Sequence, residues 1–168
     1  DLHQVIEAAL FSAKEEAQVT GVRVEKSFDL TLPLLPLDPR QMEGVFLNLF
    51  LNALQAMPQG GILTVRTRRR ESGYRRQESI SDHPGPEEGW AEVTFTDTGE
   101  GIPSEVLGEI FRPFFTTKAK GTGLGLSLVQ RVVEQHHGQI WAQSQPGVGT
   151  TFYLLLPIPA QPTKGESV

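Results

Sequence analysis

Hydrophobic residues recur along this chain with helical spacing in some segments and with strand alternation in others. From Leu2 to Val19 apolar side chains return every three or four residues, which predicts a helix that Gly21 ends. A second helix is predicted from Pro39 to about Met57, because Asp38 offers a side-chain acceptor at the N-cap and proline suits the first helical turn. The apolar face of this helix comprises Met42, Val45, Phe46, Leu49, Ala53 and Ala56.

The remaining pattern predicts a sheet with two further helices. Strands are predicted over residues 22–28, 62–70, 91–97, 139–144 and 150–156, and helices over 103–110 and 125–137. The polar segment 71–89 is predicted to be a surface loop. Strands and helices do not alternate strictly, which favours an α+β two-layer sandwich over a doubly wound sheet. Residues 1–157 are predicted to form one domain, and residues 158–168 a flexible C-terminal tail.

Composition narrows the class of protein. The chain has 168 residues, of which 38% are hydrophobic and 21% charged, as expected for one soluble domain. A formal net charge of -5 argues against nucleic acid as the main partner. The absence of cysteine excludes disulfides and thiolate chemistry. No apolar run approaches the roughly 20 residues that a membrane-spanning helix needs.

Two asparagines form the first candidate for chemistry. Asn48 and Asn52 are four residues apart in the second predicted helix, so both carboxamides lie along one edge of it. Asparagine is unfavourable inside a helix because its side chain competes for backbone hydrogen bonds. Either these are two satisfied amides at the edge of the core, or their oxygens contact a hard cation such as Mg²⁺.

The second candidate is the segment Asp97–Gly101, which follows a predicted strand. Val93, Phe95 and Asp97 share the inward face of that strand, so the carboxylate needs hydrogen-bond donors. The exocyclic amino group of adenine is a suitable donor, and two glycines allow the backbone to approach a flat ring. An ordinary strand-end turn is the alternative, because Asp and Gly are frequent in turns.

Two further segments complete the set. Phe111–Lys118 combines three aromatic residues with a lysine. Either the rings anchor a mobile segment from which Lys118 reaches a phosphate, or they fill the core between a helix and a loop and the lysine is solvated. Gly121–Leu126 is rich in glycine and leads directly into a predicted helix. Exposed backbone N–H groups and the positive end of the helix dipole make this a predicted phosphate-binding loop. It lacks the Gly-Lys-Ser/Thr ending of a P-loop and the preceding strand of a Rossmann motif.

In this order the four segments resemble the N, G1, F and G2 boxes of the catalytic ATP-binding domain of sensor histidine kinases. That domain belongs to the superfamily of gyrase, Hsp90 and MutL. The matching strings are LNLFLNALQAMPQGG, DTGEGIP, IFRPFFTTK and GTGLGLSLVQRVVEQHHGQIWAQSQPGVGTTFYLLLP. The resemblance implies a Bergerat fold, with a mixed, mostly antiparallel sheet of about five strands backed by three helices. It also implies a short, flexible ATP lid between Phe115 and Gly121, as in nitrogen- and metal-sensing kinases.

The same resemblance implies the roles of individual residues. Asn52 is expected to bind Mg²⁺, Asp97 to recognise adenine, and Lys118 to meet the γ-phosphate of ATP. Gln55 stands where many relatives have a lysine. The implied catalytic residues are Asn48, Asn52 and Lys118. The implied nucleotide-binding residues are Asn48, Asn52, Gln55, Asp97, Gly99, Gly101, Ile102, Lys118, Gly121, Thr122, Gly123, Leu124, Gly125 and Thr150.

Position 48 separates two classes of enzyme. Hydrolytic relatives carry a glutamate where this chain has Asn48, and an uncharged amide is a poor general base. This favours transfer of the γ-phosphate to another nucleophile. The alternatives are an ATPase or a serine-directed anti-sigma kinase of the same superfamily, and a nucleotide-binding module without catalytic activity.

No phosphate-accepting histidine is evident in the chain. His3, His83, His136 and His137 do not stand in the family's His-Glu/Asp-x-x-x-Pro setting, and the pair 136–137 is predicted to place a cation at a helix end. The acceptor hairpin is therefore expected to precede Asp1 in a longer protein. The resemblance implies that hairpin and the receiver domain of a response regulator as partners, with a monomeric fragment and a homodimeric full-length protein. It also implies a cytoplasmic domain that is compatible with an inner-membrane anchor elsewhere in the full-length protein.

Overall fold

The computed structural model describes residues 1–71, 86, 88–117 and 121–160. The described residues form five helices and five strands. The helices are α1 (Leu2–Ser12), α2 (Lys14–Thr20), α3 (Pro39–Ala56), α4 (Ser104–Leu107) and α5 (Gly125–Gln135). The strands are β1 (Val22–Ser27), β2 (Gly61–Arg70), β3 (Trp90–Asp97), β4 (Gln139–Gln145) and β5 (Gly149–Pro157).

The strands form one mixed sheet in the order β1-β2-β3-β5-β4. β1 and β2 are parallel, and every other neighbouring pair is antiparallel. α3 packs between α1 and α5 on one face of the sheet, where Phe50 of α3 meets Phe95 of β3 edge to face at 5.1 Å. The predicted α+β sandwich is confirmed, and its core lies between this helical layer and the sheet.

The first predicted helix is interrupted at one residue. Ala13, which is buried, separates α1 from α2 with φ -92° and ψ 0°. The hydrogen bonds nevertheless keep the α-helical step, because Ala13 N–H donates to Ala9 and Ala17 N–H donates to Ala13. Gly21 ends the second piece in the left-handed conformation, as glycine does at helix C-termini.

The central strand β3 is buried on both faces. The predicted inward face of Val93, Phe95 and Asp97 is confirmed. On the opposite face Glu92 is also fully buried, with its carboxylate between Arg68 and Arg70 of β2. A second hydrophobic cluster of Trp90, Trp141 and Leu155, with Tyr153 packed on it, lies on that side of the sheet.

The packed part of the chain extends past the predicted domain boundary. Ile158, assigned to the tail by the sequence pattern, is 2% exposed and joins the main core. Its N–H donates to the carbonyl oxygen of Gly89 across 3.0 Å. Residues 161–168 of the predicted tail lie outside the described residues, as do residues 72–85 and 87 of the predicted loop. In the part of the chain that the structure describes, none of the helices combines the length and the apolar character needed to span a membrane.

Candidate functional site

A cavity of about 700 Å³ opens between α3, the loop after β3 and the segment that leads into α5. Most of the residues predicted for the site line this cavity. They are Asn48, Asn52, Gln55, Asp97, Gly101, Ile102, Gly121, Thr122, Gly123, Gly125 and Thr150. Phe115, Thr116 and Thr117 of the aromatic segment also line it. The four sequence segments therefore meet at one place, although Asn48 and Thr150 are more than half the chain apart.

Asp97 lies at the end of β3 and is 4% exposed. Its Oδ1 accepts hydrogen bonds from the N–H of Gly99 at 2.9 Å and from the N–H of Thr150 at 3.2 Å. Burial raises the pKa of this carboxyl, the two N–H donors oppose that shift, and the charge of Glu100 adds to it. Both of these hydrogen bonds go to Oδ1, and no other group in the described residues donates to Oδ2. Oδ2 therefore remains as an acceptor for a ligand.

The loop after β3 is fixed by close backbone contacts on two sides. The N–H of Glu100 donates to the carbonyl oxygen of Ala56 at the end of α3, across 3.1 Å. Gly101 has φ +74°, and a Cβ there would lie 2.3 Å from the carbonyl oxygen of Gln145. A side chain at Gly99 would similarly meet Ala56. Glycine is required at positions 99 and 101 because the backbone of Ala56 and of Gln145 occupies the space that a side chain would need.

Thr150 connects this loop to the turn between β4 and β5. Its side chain is buried, and its Oγ1 lies 2.8 Å from Oγ of Ser144. The Ser144 hydroxyl also accepts from the N–H of Ile102 at 2.7 Å and lies 3.1 Å from the carbonyl oxygen of Gly149. The wall of the cavity beside Asp97 is therefore held by a hydrogen-bonded cluster centred on Ser144.

The opposite end of the cavity joins the two asparagines to the start of α5. Nδ2 of Asn48 donates to the carbonyl oxygen of Gly44 one turn earlier, at 3.1 Å. Its Oδ1 faces Gly125, where an added Cβ would lie only 2.8 Å away. Asn52 lines the cavity one turn further along α3. Two amides and the positive end of an 11-residue helix thus converge on one region, which suits an anion with an accompanying cation.

The aromatic segment differs in part from its prediction. Phe111 and Phe115 pack against the core, and Phe111 meets Phe152 edge to face at 6.3 Å. Phe114, in contrast, is 77% exposed and is not an anchor. Its backbone holds the segment instead, because its N–H donates to the carbonyl oxygen of Gly123 at 2.9 Å. Gly123 has φ +69°, and a Cβ there would clash with the backbone of Phe114.

Two described residues that were predicted for the site do not line the cavity. Gly99 lies against Ala56 at the end of α3. Leu124 is 44% exposed. Lys118 lies outside the described residues, so its predicted contact with the γ-phosphate stays a prediction. The predicted cation at the end of α5 stays a prediction, and in the structure Nε2 of His136 accepts a hydrogen bond from the N–H of Asp38.

Residues 37–160 match the family model described as histidine kinase-, DNA gyrase B-, and HSP90-like ATPase. The chain belongs to this family. Within it, the chain is 37% identical over 158 residues to the sensor histidine kinase ZraS of Escherichia coli (strain K12), covering 94% of this chain and 30% of ZraS. It is 43% identical over 145 residues to the sensor kinase CckA of Brucella abortus (strain 2308), covering 84% of this chain and 15% of CckA.

A solved structure of a histidine kinase supports the assignment of this chain to the same family. The catalytic domain of the histidine kinase ThkA superposes with a TM-score of 0.76 at 25% identity, covering 95% of this chain and 93% of that one. The family predicted from the four motifs is therefore confirmed. The chain spans less than a third of the length of ZraS.

Several lining residues of this ATPase-family site were not predicted from the sequence. Leu51, Ile110 and Leu126 contribute apolar wall, and they look like ordinary core residues in the sequence. Glu100 also lines the cavity. Ser144 does not line the cavity itself but bonds to Thr150, and it was not predicted because it lies in a strand with an ordinary alternating pattern. The signal that would have revealed it is a hydroxyl on the inward face of β4, directly opposite Thr150 in the strand register.

Proposed function

We propose that this chain binds ATP together with Mg²⁺ and transfers the γ-phosphate to a histidine on a separate helical hairpin. The observation that carries the proposal is that Asp97, the asparagine pair and the glycine-rich segment line one cavity of about 700 Å³. This volume lies within the range of about 300–1,000 Å³ that ligand pockets usually have. One end offers a buried acceptor, and the other offers amides at a helix N-terminus.

The end at β3 suits adenine. Oδ2 of Asp97 is available to accept from an exocyclic amino group, while Oδ1 is held by two backbone N–H groups. The backbone beside Gly101 is free of side-chain bulk, so a flat ring can approach it closely. Ile102 and Phe152 supply apolar surface on the same wall. These features together recognise an aromatic ring that carries an amino group.

The end at α5 suits the phosphates and their metal ion. In the described part of the chain no cluster of three or more His, Asp or Glu side chains exists that would hold a metal by protein ligands alone. A site with one or two protein oxygens plus phosphate oxygens is usual for Mg²⁺, and the carboxamide of Asn52 fits that role. When bound, the ion neutralises charge on the transferring phosphoryl group. The N–H groups at the start of α5 orient the phosphate oxygens.

Transfer is favoured over hydrolysis by the position of the carboxylates. Among the described residues that line the cavity, only Asp97 and Glu100 are acidic. The Glu100 charge raises the pKa of Asp97, so the two are neighbours at the adenine end. Asn48 occupies the phosphate end, and an uncharged amide does not activate water. A nucleophile that enters from another domain is therefore the better acceptor.

The remaining partners follow from this transfer. The phosphate-accepting histidine and the dimer contacts are proposed to lie on a helical hairpin of the full-length protein, and the receiver domain of a response regulator is the proposed next acceptor. The histidine kinase ThkA has been solved in complex with the response regulator protein TrrA, and its kinase chain shares this fold. The proposed location of the domain is the cytoplasm.

The test is reconstitution of phosphotransfer. The chain is mixed with Mg²⁺-ATP and a separately produced hairpin that contains the acceptor histidine, and acid-labile phosphate on the hairpin is measured. We expect labelling by the wild type and its loss in Asn52→Ala. Gln18→Ala, which removes an exposed carboxamide from α2, serves as the matched control and should label normally. Normal labelling by Asn52→Ala contradicts the proposed metal site, and no labelling by the wild type contradicts the proposed transfer.

A further inference from the structure

Ser144 of β4 joins three segments of the cavity wall through one hydroxyl group. Its oxygen accepts from the N–H of Ile102 across 2.7 Å. It also lies 3.1 Å from the carbonyl oxygen of Gly149 and 2.8 Å from the hydroxyl oxygen of Thr150. The loop after β3, strand β4 and the first two residues of β5 are therefore tied together at this side chain.

The direction of these bonds follows from counting protons. A serine hydroxyl has one proton to donate and two lone pairs that accept. The Gly149 carbonyl oxygen can only accept, so the Ser144 proton is directed to it. The bond between the two hydroxyls then requires Thr150 to donate to Ser144. With its proton committed in this way, Oγ1 of Thr150 presents only lone pairs to the cavity.

This polarity matters because Thr150 stands next to Asp97. Both side chains line the cavity, and the N–H of Thr150 donates to Oδ1 of Asp97. Oδ2 of Asp97 and Oγ1 of Thr150 therefore form a wall of acceptors. Adenine carries an amino group with two N–H donors at its six-membered ring, whereas guanine carries a carbonyl oxygen at the same position. Acceptors attract the first and repel the second.

We propose that Ser144 is a positioning residue that holds Thr150 as an acceptor and thereby sets the preference of the site for adenine over guanine. This inference rests on the proposed ATP-binding function and adds to it the residue that controls base selection. Without the Ser144 hydroxyl, Thr150 is free to turn its proton towards the cavity and donate to the guanine carbonyl oxygen. The N–H of Ile102 also loses its acceptor.

The measurement is the ratio of the affinities for ATP and GTP, determined by calorimetry with Mg²⁺ on the folded chain. Because both nucleotides are compared on the same protein, a loss of stability alone does not change this ratio. We expect Ser144→Ala to lower the ratio about tenfold, the effect of one hydrogen bond of ordinary strength. Ser144→Thr retains the hydroxyl and should restore the ratio to within about threefold of the wild type.

Two further variants make the test specific. Ser27→Ala makes the same substitution at an exposed position of β1 and should leave the ratio unchanged. In a Thr150→Val background, where the side chain is of similar shape but has no hydroxyl, Ser144→Ala should have no further effect on the ratio. If Ser144→Ala does not yield folded protein, the ATP to GTP affinity ratio is compared between Ser144→Thr, which keeps both hydroxyls, and Thr150→Val, which lacks one of them. Only Thr150→Val should then show the lowered ratio.

The inference is overturned by an unchanged ratio in Ser144→Ala, by a Ser144→Thr variant as impaired as Ser144→Ala, or by a Ser144→Ala effect that persists without the Thr150 hydroxyl. Failure of the proposed function looks different, because the wild-type chain then binds neither nucleotide. Binding of ATP by the wild type with any of the three contrary results removes only the role of Ser144.

Discussion

The imidazole of His136, just after α5, accepts a hydrogen bond from the N–H of Asp38, just before α3, across 3.0 Å. Its Nδ1 lies 2.8 Å from the carbonyl oxygen of Val132, which can only accept, so Nδ1 carries the proton and Nε2 is the acceptor. At the other end of α5, Gly125 contacts Asn48 in the middle of α3. The two helices therefore run in opposite directions and are fastened at both ends of α5.

Replacing His136 by leucine should destabilise the chain. The substitution leaves the N–H of Asp38 and the carbonyl oxygen of Val132 without their side-chain partner, and we expect the free energy of unfolding to fall by about 1 kcal/mol. Urea unfolding measures this loss. His136→Gln offers an acceptor at a similar distance and should lose less. His137→Asn is the control, because Asn tolerates the φ of 56° at this neighbouring exposed position. Equal losses in His136→Gln and His136→Leu would rule out the hydrogen bond as the cause.

Two helical glycines should respond in opposite ways to alanine. Gly44 lies in the middle of α3 with nothing near the position of its Cβ, so Gly44→Ala should raise the free energy of unfolding by about 1 kcal/mol. It should leave nucleotide affinity unchanged, because only the Gly44 carbonyl contacts Asn48.

At Gly125 the added Cβ would lie 2.8 Å from Oδ1 of Asn48. Gly125→Ala should therefore weaken ATP binding about tenfold or more, as displacement of one polar side chain in a binding site does. Calorimetry that finds equal ATP affinity in both variants refutes the proposed contact of ATP with this end of the cavity.

Asp97 should make the stability of the chain depend on pH in the acidic range. Burial raises its pKa above the ordinary value of 3.8, so the folded chain binds this proton more tightly than the unfolded chain does. The resulting stabilisation is present below pH 3.8 and is lost as the pH rises through the higher folded value. At neutral pH the buried charge is a cost that Asp97→Asn removes, while the asparagine oxygen still accepts from Gly99 and Thr150.

The measurement is urea unfolding of the wild type and Asp97→Asn at neutral pH and below pH 3.8. Relative to the wild type, the variant should be more stable at neutral pH than it is in acid. A stability difference that does not change with pH would contradict the raised pKa.

Glu92 should matter for stability and not for nucleotide binding. Its carboxylate is fully buried on the face of the sheet opposite the helices, 3.0 Å from Nε of Arg70. Glu92→Ala removes a carboxylate that bonds to two arginines and should lower the free energy of unfolding by about 2 kcal/mol, the loss typical of hydrogen bonds to charged groups, because Arg68 and Arg70 are partly exposed and remain hydrated. Glu25→Ala, on the exposed edge strand β1, is the matched control and should cost little. A change in the ATP affinity of folded Glu92→Ala would show that this face communicates with the cavity.

The sequence was sufficient for the elements and for most of the site, because both depend on local patterns. Asp38 and Pro39 mark the start of α3, and Asp38 indeed accepts from the N–H groups of Arg40 and Gln41. The spacing of Asn48 and Asn52 and the carboxylate at the end of β3 were visible for the same reason. Such signals are contained in a few neighbouring residues.

What the sequence did not reveal depends on contacts between distant segments. Glu92 reads as an outward residue in an alternating strand, and only the pairing of β3 with β2 brings Arg68 and Arg70 to it. The role of His136 depends on Asp38, 98 residues away. The break at Ala13 was also missed, because neither glycine nor proline marks it and its helical hydrogen bonds continue.

The most direct test of the proposed nucleotide site is a calorimetric titration of the folded chain with ATP in the presence of Mg²⁺, repeated with Asp97→Asn. We expect the wild type to bind one ATP, and Asp97→Asn to bind it at least about tenfold more weakly, because an amide N–H₂ replaces the acceptor that faces the amino group of adenine. Absence of binding by the wild type, or equal affinity in the variant, would contradict the assignment of this cavity to ATP.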